Sequence, residues 1–166
     1  DCNGNVVPEA IVQLKYDFIT LDKQKLAWSD MQGKWVVVNY FAEWCAPCLR
    51  EIPELNHFNQ ENQPQISLFG VSFDQLEPAQ LIELQQKYDI QFPLIQSIIN
   101  LPWSQRPTSL PTTFIIGADG EVKKHNLSSI NFLAQRQRFF LRLIQIQNHQ
   151  KKGLWYCCLT KNSSHR

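Results

Sequence analysis

The 166-residue sequence predicts an α/β fold in which helices flank a central mixed β-sheet, with a β-hairpin as an N-terminal extension. Two apolar, β-branched segments at 35–42 and 66–73 are typical of strands buried on both faces, and residues at helical spacing follow each of them. A hairpin pattern at 111–125 adds antiparallel strands, so we expect a mixed sheet. The hydrophobic fraction of 43% and the charged fraction of 19% are those of an ordinary globular protein.

The N-terminal hairpin is predicted at about 13–30, where a polar turn at 22–24 separates two apolar segments. The nearly continuous apolar segment 35–42 predicts the first core strand, which leads directly to Cys45. From Pro47 onward, apolar residues recur at helical spacing, at Leu49, Ile52, Leu55 and Phe58. The sequence therefore predicts a strand, a tight turn and a helix of about four turns, with Cys45 at the N-terminal end of that helix.

A second strand and helix follow the first pair. Residues 66–73 predict a buried strand, and Pro78 suits the first turn of a helix, where its missing N–H costs nothing. A short strand is expected at 92–95, whereas the segment 96–110 shows no pattern that assigns a structure to it. The alternation of strands and helices favours a sheet with parallel neighbours.

The C-terminal part is predicted to contain a β-hairpin and a helix. The hairpin at 111–125 is closed by Asp119 and Gly120, because these two residue types tolerate the positive φ of hairpin turns. Between 129 and 147, two adjacent apolar rows with arginines on the other side predict an amphipathic helix. We therefore expect a single domain at 1–150, followed by a tail at 151–166.

Charge and hydropathy exclude several classes of protein. The formal net charge of +1 provides no field that attracts nucleic acid. No apolar run approaches the ~18 residues of a membrane span, and the first residues lack the features of a signal peptide. An export signal or anchor could have been removed ahead of Asp1. The expected chain is a soluble monomer with no transmembrane span and no cofactor.

The cysteines indicate redox chemistry at one pair. The five cysteines are an odd number, which argues against a disulfide framework. Cys45 and Cys48 form a CxxC motif where the helix is predicted to begin, and the positive end of a helix favours a thiolate on the first of them. Cys48, one turn further into the helix, is expected to be shielded and to attack only after a substrate is attached. We predict that Cys45 is the nucleophile and Cys48 the resolving cysteine.

The alternative for a lone CxxC motif is half of a zinc site, which requires a second pair of ligands. Adjacent cysteines chelate one metal ion poorly, which disfavours Cys157 with Cys158. The four histidines form no pair at ligand spacing: His57, His125, His149 and His165. The sequence therefore predicts no metal site. Cys2 is expected to be an incidental thiol, with a lipid-anchor cysteine as the alternative, and Cys157 and Cys158 are expected to be incidental thiols, with a second redox pair as the alternative.

The segment VVVNYFAEWCAPCLREIPEL, residues 36–55, resembles the active-site segment of the thioredoxin superfamily. Flanking features narrow the resemblance to the extracytoplasmic TlpA/ResA-like, or CcmG/DsbE-like, branch. These features are the DFxxLD pattern at 17–22, Gly33-Lys34 before the first core strand, Glu51 after the second cysteine, and the PTTFII and GADG segments from Pro111 onward. The resemblance covers about 15–147 and implies a thioredoxin-like fold and thiol-disulfide oxidoreductase activity.

The resemblance also implies substrate-binding residues. Pro111 matches the cis-proline of the superfamily, and the backbone of Leu110 before it is expected to pair with the substrate chain. The alternative for Pro111 is an ordinary proline at a strand edge. Trp44 matches the tryptophan that packs over the redox site, with a simple core aromatic residue as its alternative. Pro53 matches the proline that bends the active-site helix.

Glu51 resembles the acidic residue near the thiols of the ResA-like branch, where a carboxylate can shift thiol pKa values and pass protons. The alternative is a solvated helical glutamate. Asn39 departs from thioredoxins proper, which carry a buried aspartate at this position. Glu51 is therefore the candidate that takes over proton transfer for the resolving cysteine.

The implied activity is reduction of disulfides in exported proteins, such as the cysteines of apocytochrome c, in the periplasm or another extracytoplasmic space. The expected partners are protein dithiols or disulfides and a membrane or thioredoxin-type electron donor, with anchoring through a removed N-terminal segment as an option. One alternative is a metal or haem-handling chaperone that uses the CxxC motif as a ligand pair. Another is a peroxidase, although the chain lacks the Pro-x-x-x-Thr-x-x-Cys pattern of peroxiredoxins.

Overall fold

The computed structural model describes residues 16–124, and within them the strands form one seven-stranded sheet. The strands are β1 (Phe18–Thr20), β2 (Lys25–Leu26), β3 (Trp35–Phe41), β4 (Ile66–Ser72), β5 (Leu94–Ile98), β6 (Thr112–Ile116) and β7 (Val122–Lys124). The helices are α1 (Ala46–Asn62) and α2 (Pro78–Lys87), with a 3₁₀ helix at Trp28–Met31. This architecture confirms the predicted α/β class with a central mixed sheet.

The order of strands across the sheet is β2-β1-β5-β4-β3-β6-β7. β3 pairs with β4 in parallel over seven residues, from Trp35 opposite Ile66 to Phe41 opposite Ser72. β4 and β5 are also parallel, whereas β6 runs antiparallel to β3 and β1 runs antiparallel to β5. Every residue of β3 is buried, which is why its sequence is nearly continuously apolar.

One hydrophobic cluster joins the strands to the irregular segment that follows β5. Val38, Tyr40 and Phe69 belong to this cluster, together with Trp103 from the segment that the sequence pattern left unassigned. The Trp103 ring stacks on the ring of Phe114 at 4.3 Å between centroids, with an interplanar angle of 8°. Residues 99–110 form no strand or helix, but Trp103 ties this segment to the core.

The N-terminal hairpin is confirmed in its described part. β1 and β2 are antiparallel, and the backbone N–H of Thr20 donates to the carbonyl of Gln24 at 3.0 Å to close the turn. The predicted extended segment stops earlier than expected, because Trp28 begins the 3₁₀ helix. Its N–H donates to the carboxylate of Asp17 at 2.8 Å, and the carboxylate of Asp30 accepts the N–H of Ala27 at 2.9 Å.

β5 starts and ends later than the sequence predicted. The expected strand at 92–95 is found at Leu94–Ile98, because Phe92 is buried ahead of the strand and Ile98 pairs with Phe18 of β1. The second core strand and the second helix agree with their predictions, and so does the hairpin of β6 and β7, where Gly120 has a φ of 83°. No helix within the described part of the chain is long and apolar enough to cross a membrane.

Several predictions lie outside residues 16–124. These are the helix expected at 129–147, the tail at 151–166, the first residues of the hairpin region, and the surroundings of Cys2, Cys157 and Cys158. The domain limits at 1–150 and 151–166 stay predictions for the same reason.

Candidate active site

Cys45 and Cys48 lie where β3 ends and α1 begins, as the sequence predicted. β3 ends at Phe41, and the backbone N–H of Cys45 donates to the carbonyl of Ala42 at 3.1 Å, which closes a tight turn. Cys45 is the N-cap residue of α1, and Pro47 occupies the first turn, where its missing N–H leaves no bond unmade. The positive end of the helix dipole is therefore directed toward the Cys45 sulfur.

The two cysteines form a disulfide bond. The sulfur atoms are 2.08 Å apart and the Cα atoms are 5.3 Å apart. The backbone N–H of Cys48 donates to Sγ of Cys45 at 3.3 Å. Cys45 is 5% exposed and Cys48 is 1% exposed, so Cys45 is the more exposed residue of the two. A donor directed at a sulfur stabilises negative charge there once the disulfide is reduced.

Trp44 precedes the first cysteine and is held by contacts to the end of β4. Its side chain is 65% exposed, so the alternative that it is a core aromatic residue is wrong. Its indole N–H donates to the carboxylate of Asp74 at 2.8 Å. Its ring meets the ring of Phe73 edge to face, with 6.0 Å between centroids. The indole is thus fixed in orientation while its face remains open to solvent.

Leu110 and Pro111 lie at the start of β6, next to the end of β3. In the antiparallel register Thr112 is opposite Tyr40, so the residue before Thr112 lies at the same end of the sheet as the turn that carries Cys45. The Leu110–Pro111 peptide bond is cis, the isomer that the resemblance implies. Pro111 is buried and Leu110 is half-buried. The roles of these two residues in substrate binding stay predictions.

Glu51 and Asn39 are both buried, although both are polar. Glu51 is 6% exposed, so the alternative of a solvated helical glutamate is wrong. It lies three residues after Cys48 on α1, a spacing that places side chains on the same helical face. Asn39 in β3 donates its amide N–H to Oγ1 of Thr113 on β6 at 3.0 Å. A neutral amide paired with a hydroxyl therefore occupies this position, and Glu51 is a buried carboxylate on α1.

An exposed ion pair next to the site was not predicted from the sequence. Lys87 at the end of α2 donates to the carboxylate of Glu43 at 2.7 Å, and the hydroxyl of Tyr88 donates to the same oxygen at 3.2 Å. The ammonium of Lys87 lowers the pKa of Glu43, and the carboxylate raises the pKa of Lys87. Glu43 lies two residues before Cys45, so this pair joins the turn to α2. No local sequence pattern reveals a pair formed across 44 residues of chain.

Asp74 and Phe73 are further residues of the site that sequence reasoning missed. They follow β4, and their place beside Trp44 results from the parallel pairing of β3 with β4. The sequence feature that could have revealed them is the predicted parallel pairing of these two strands, because it brings the carboxyl ends of both strands to one edge of the sheet. Within residues 16–124, no three His, Cys, Asp or Glu side chains are grouped as metal ligands would be.

Comparison with known proteins agrees with this geometry. Residues 4–125 match the model of the AhpC/TSA family. The thioredoxin-like protein YneN of Bacillus subtilis is 26% identical over 124 residues, which covers 74% of this chain and 73% of YneN. A thiol-disulfide oxidoreductase ResA of Bacillus cereus is 29% identical over 104 residues, which covers 61% of this chain. The chain spans 60% of the length of that ResA protein.

A solved structure supports the fold. The thiol-disulfide isomerase of Corynebacterium glutamicum superposes with a TM-score of 0.61 at 19% sequence identity, covering 80% of this chain and 93% of the isomerase. The similar proteins are named as thiol-disulfide oxidoreductases or thioredoxin-like proteins, which is the enzyme class that the cysteine pair predicts. The comparisons thus confirm the resemblance to the ResA-like branch and the thioredoxin-like fold.

Proposed function

The chain belongs to the AhpC/TSA family, and from this premise we propose that it reduces disulfides of exported proteins by dithiol-disulfide exchange through Cys45 and Cys48. The single observation that carries the proposal is the Cys45–Cys48 disulfide at the N-terminus of α1. An attacking thiolate and a second thiol that resolves the mixed disulfide are what this exchange requires.

The proposed cycle begins with both cysteines reduced. The Cys45 thiolate attacks one sulfur of the substrate disulfide, which forms a mixed disulfide and releases the other substrate sulfur as a thiolate. The Cys48 thiolate then attacks Sγ of Cys45, breaks the mixed disulfide and releases the second substrate thiolate. Two electrons have passed to the substrate, whose two thiolates take up two protons from solvent, and Cys45 and Cys48 are joined as an oxidised pair. An external dithiol protein restores the reduced pair.

The order of attack is supported by exposure and by hydrogen bonding. Cys45 is the more exposed residue of the two, and its Sγ accepts the backbone N–H of Cys48. Trp44, Leu110 and Pro111 would contact the substrate chain on either side of the reacting sulfur. The substrate is a polypeptide disulfide, the donor is a membrane or thioredoxin-type dithiol protein, and the location is extracytoplasmic, on the basis of the ResA-like resemblance.

Two variants test the roles of the cysteines. Cys45→Ser should abolish the reduction of insulin, because the attacking sulfur is removed. Cys48→Ser should still attack but accumulate mixed disulfides, which mass spectrometry detects as adducts on Cys45. Equal accumulation of adducts by both variants would contradict the assigned roles.

The alternative of a metal or haem-handling chaperone has a separate readout. If the CxxC motif serves as a ligand pair, the reduced protein binds copper(I) or zinc stoichiometrically and does not accelerate insulin reduction. Insulin reduction without metal binding supports the proposed exchange activity, whereas metal binding without insulin reduction would replace it.

A further inference from the structure

The segment 99–110 between β5 and β6 leads directly to Leu110 and Pro111, the residues proposed to contact the substrate chain. It forms neither a strand nor a helix, so no ladder of backbone hydrogen bonds fixes its path. Its position depends on a small number of separate contacts, and loss of one of them should leave the segment with more than one arrangement. The N-terminal hairpin and the 3₁₀ helix after it supply the first of these contacts.

Asp17, the residue before β1, binds the start of this segment through its backbone and its side chain. Its carbonyl oxygen accepts the backbone N–H groups of Ile99 at 2.7 Å and of Asn100 at 3.1 Å. Its carboxylate accepts the side-chain amide N–H of Asn100 at 2.9 Å and the backbone N–H of Trp28 at 2.8 Å. One carboxylate thus joins the segment to the 3₁₀ helix.

Trp28 extends this junction toward Leu110. Its indole N–H donates to the carbonyl of Asn100 at 2.8 Å. Its ring meets the ring of Trp103 edge to face, with 5.7 Å between centroids. Trp28 and Leu110 both pack against the hydrophobic cluster to which Trp103 belongs. Contacts therefore lead from Asp17 through Trp28 and this cluster to Leu110.

The later part of the segment is held by contacts of its own. Nη2 of Arg106 donates to the carbonyl of Phe73 at 2.8 Å, and the hydroxyl of Thr112 donates to the carbonyl of Ser109 at 2.7 Å. Removal of the Asp17 side chain leaves these contacts in place and acts at the opposite end of the segment. Its effect should therefore be a change in the arrangement of the segment and not the loss of the site.

We propose that Asp17 and Trp28 are positioning residues, which hold the segment 99–110, and with it Leu110 and Pro111, in the arrangement that binds the substrate chain. This inference rests on the proposed function, because it assigns further residues to the same reaction. Both residues act through the segment and not on the sulfur atoms. They set the fraction of molecules that are ready to bind, and the apparent affinity falls with that fraction, whereas attack by Cys45 within the bound complex is unchanged.

Asp17→Ala tests this positioning, with Asp30→Ala as the matched control. The carboxylate of Asp30 also accepts a backbone N–H, that of Ala27 at 2.9 Å, but this bond stays within the 3₁₀ helix and its N-cap. Asn100→Ala removes the same side-chain hydrogen bond from an exposed position of the segment, so the test does not depend on the folding of Asp17→Ala.

Two measurements are made on the wild type and the three variants. KM and kcat are determined for the reduction of insulin, with dithiothreitol as the electron source and the uncatalysed rate subtracted. Alkylation of reduced Cys45 by iodoacetamide is followed by mass spectrometry from pH 5 to pH 10. Iodoacetamide is too small to need the segment, so the second measurement reports on the thiol alone.

Asp17→Ala and Asn100→Ala should raise KM for insulin about 3- to 10-fold, the rise expected when roughly a third to a tenth of the molecules hold the segment in the binding arrangement. Their kcat should stay near the wild-type value, and so should the rate and the pH midpoint of Cys45 alkylation. Asp30→Ala should keep the wild-type KM.

The outcomes separate this inference from the proposed function. While the wild type reduces insulin, any one of three results would overturn the inference alone. These are an unchanged KM in Asp17→Ala or Asn100→Ala, an equal rise of KM in Asp30→Ala, and a slower alkylation of Cys45 that accounts for the lost activity. Failure of the wild type to reduce insulin would overturn the proposed function and this inference with it.

Discussion

Glu51 is a carboxylate buried on α1 one turn after Cys48, and its effect on the thiols can be measured directly. A negative charge close to a thiol disfavours the thiolate, so a neutral replacement should make the thiols easier to deprotonate. We expect Glu51→Gln to shift the midpoint of the pH dependence of Cys45 alkylation to lower pH.

The control for this prediction is Glu54→Gln, since Glu54 is an exposed glutamate of the same helix. The alkylation rate of each reduced variant is followed from pH 5 to pH 10. An unchanged midpoint for Glu51→Gln, or an equal shift for both variants, would assign Glu51 a structural role only.

Tyr40 is a second buried titratable group, and it predicts how stability changes in alkali. Burial raises its pKa to about 12, against the opposing effect of the Arg106 guanidinium, whereas an unfolded tyrosine titrates near 10.0. Between these values the folded state retains a proton that the unfolded state has lost. The contribution of Tyr40 is therefore complete below pH 10 and is lost as pH rises toward 12, by roughly 3 kcal/mol in total.

Urea unfolding of the wild type and of Tyr40→Phe at pH 8, 9.5 and 10.5 checks this sign. The wild type should lose free energy of unfolding more steeply over this range than Tyr40→Phe. If the free energy of unfolding changes equally with pH in the two proteins, ionisation of the Tyr40 hydroxyl does not affect folding.

At the scale of elements, local patterns predicted the parts of the fold that depend on one segment alone. β3 and α1 could be predicted because the apolar pattern and the CxxC motif that indicate them lie within a few residues of each other in the sequence. The later start of β5 and the burial of Trp103 could not be predicted, since both depend on packing against β1 and β6. The placement of Asp74 beside Trp44 likewise needs the parallel register of two strands.

Gly70 in β4 shows how closely the sheet packs against its neighbours. A Cβ at this position would lie 2.6 Å from Cδ2 of Leu94 and 2.8 Å from Cε2 of Phe92, which is closer than side chains approach each other. We expect Gly70→Ala to lower the free energy of unfolding by about 1–3 kcal/mol, because β5 must move to relieve the overlap.

The comparison variant is Gly33→Ala, where a Cβ meets no atom within 4 Å but φ is +89°. Gly33→Ala should lower the free energy of unfolding by about 1 kcal/mol through backbone strain alone. Chemical denaturation of both variants measures the difference. A Gly70→Ala protein no less stable than Gly33→Ala would contradict the crowding argument.

At the scale of the whole molecule, the direction of electron flow depends on the relative stability of the oxidised and reduced protein. A difference of about 1.4 kcal/mol in this balance corresponds to about 30 mV in the reduction potential. Neither Ala46 nor Pro47 between the cysteines carries a charge that would further stabilise the reduced form. We therefore expect the potential of a reductase, near or below about −250 mV.

Equilibration with glutathione or dithiothreitol buffers, followed by thiol trapping, measures this potential. Cys2, Cys157 and Cys158 are replaced by serine, so that only Cys45 and Cys48 contribute to the measured thiol content. A potential near about −120 mV would make the protein an oxidant, which would contradict the proposed direction but not the cysteine pair.

The edges of the sheet have a consequence for storage and handling. Within residues 16–124, the outermost strands are β2, with two residues, and β7, with three residues, and Lys25 and Lys123 in them are exposed. Short, lysine-bearing edges are poor templates for the addition of strands from other molecules. The apolar sequence of β3, in contrast, is of the kind that forms fibrils when exposed, and it lies inside the sheet. The shelf life of concentrated protein should therefore depend on how rarely the centre of the sheet opens.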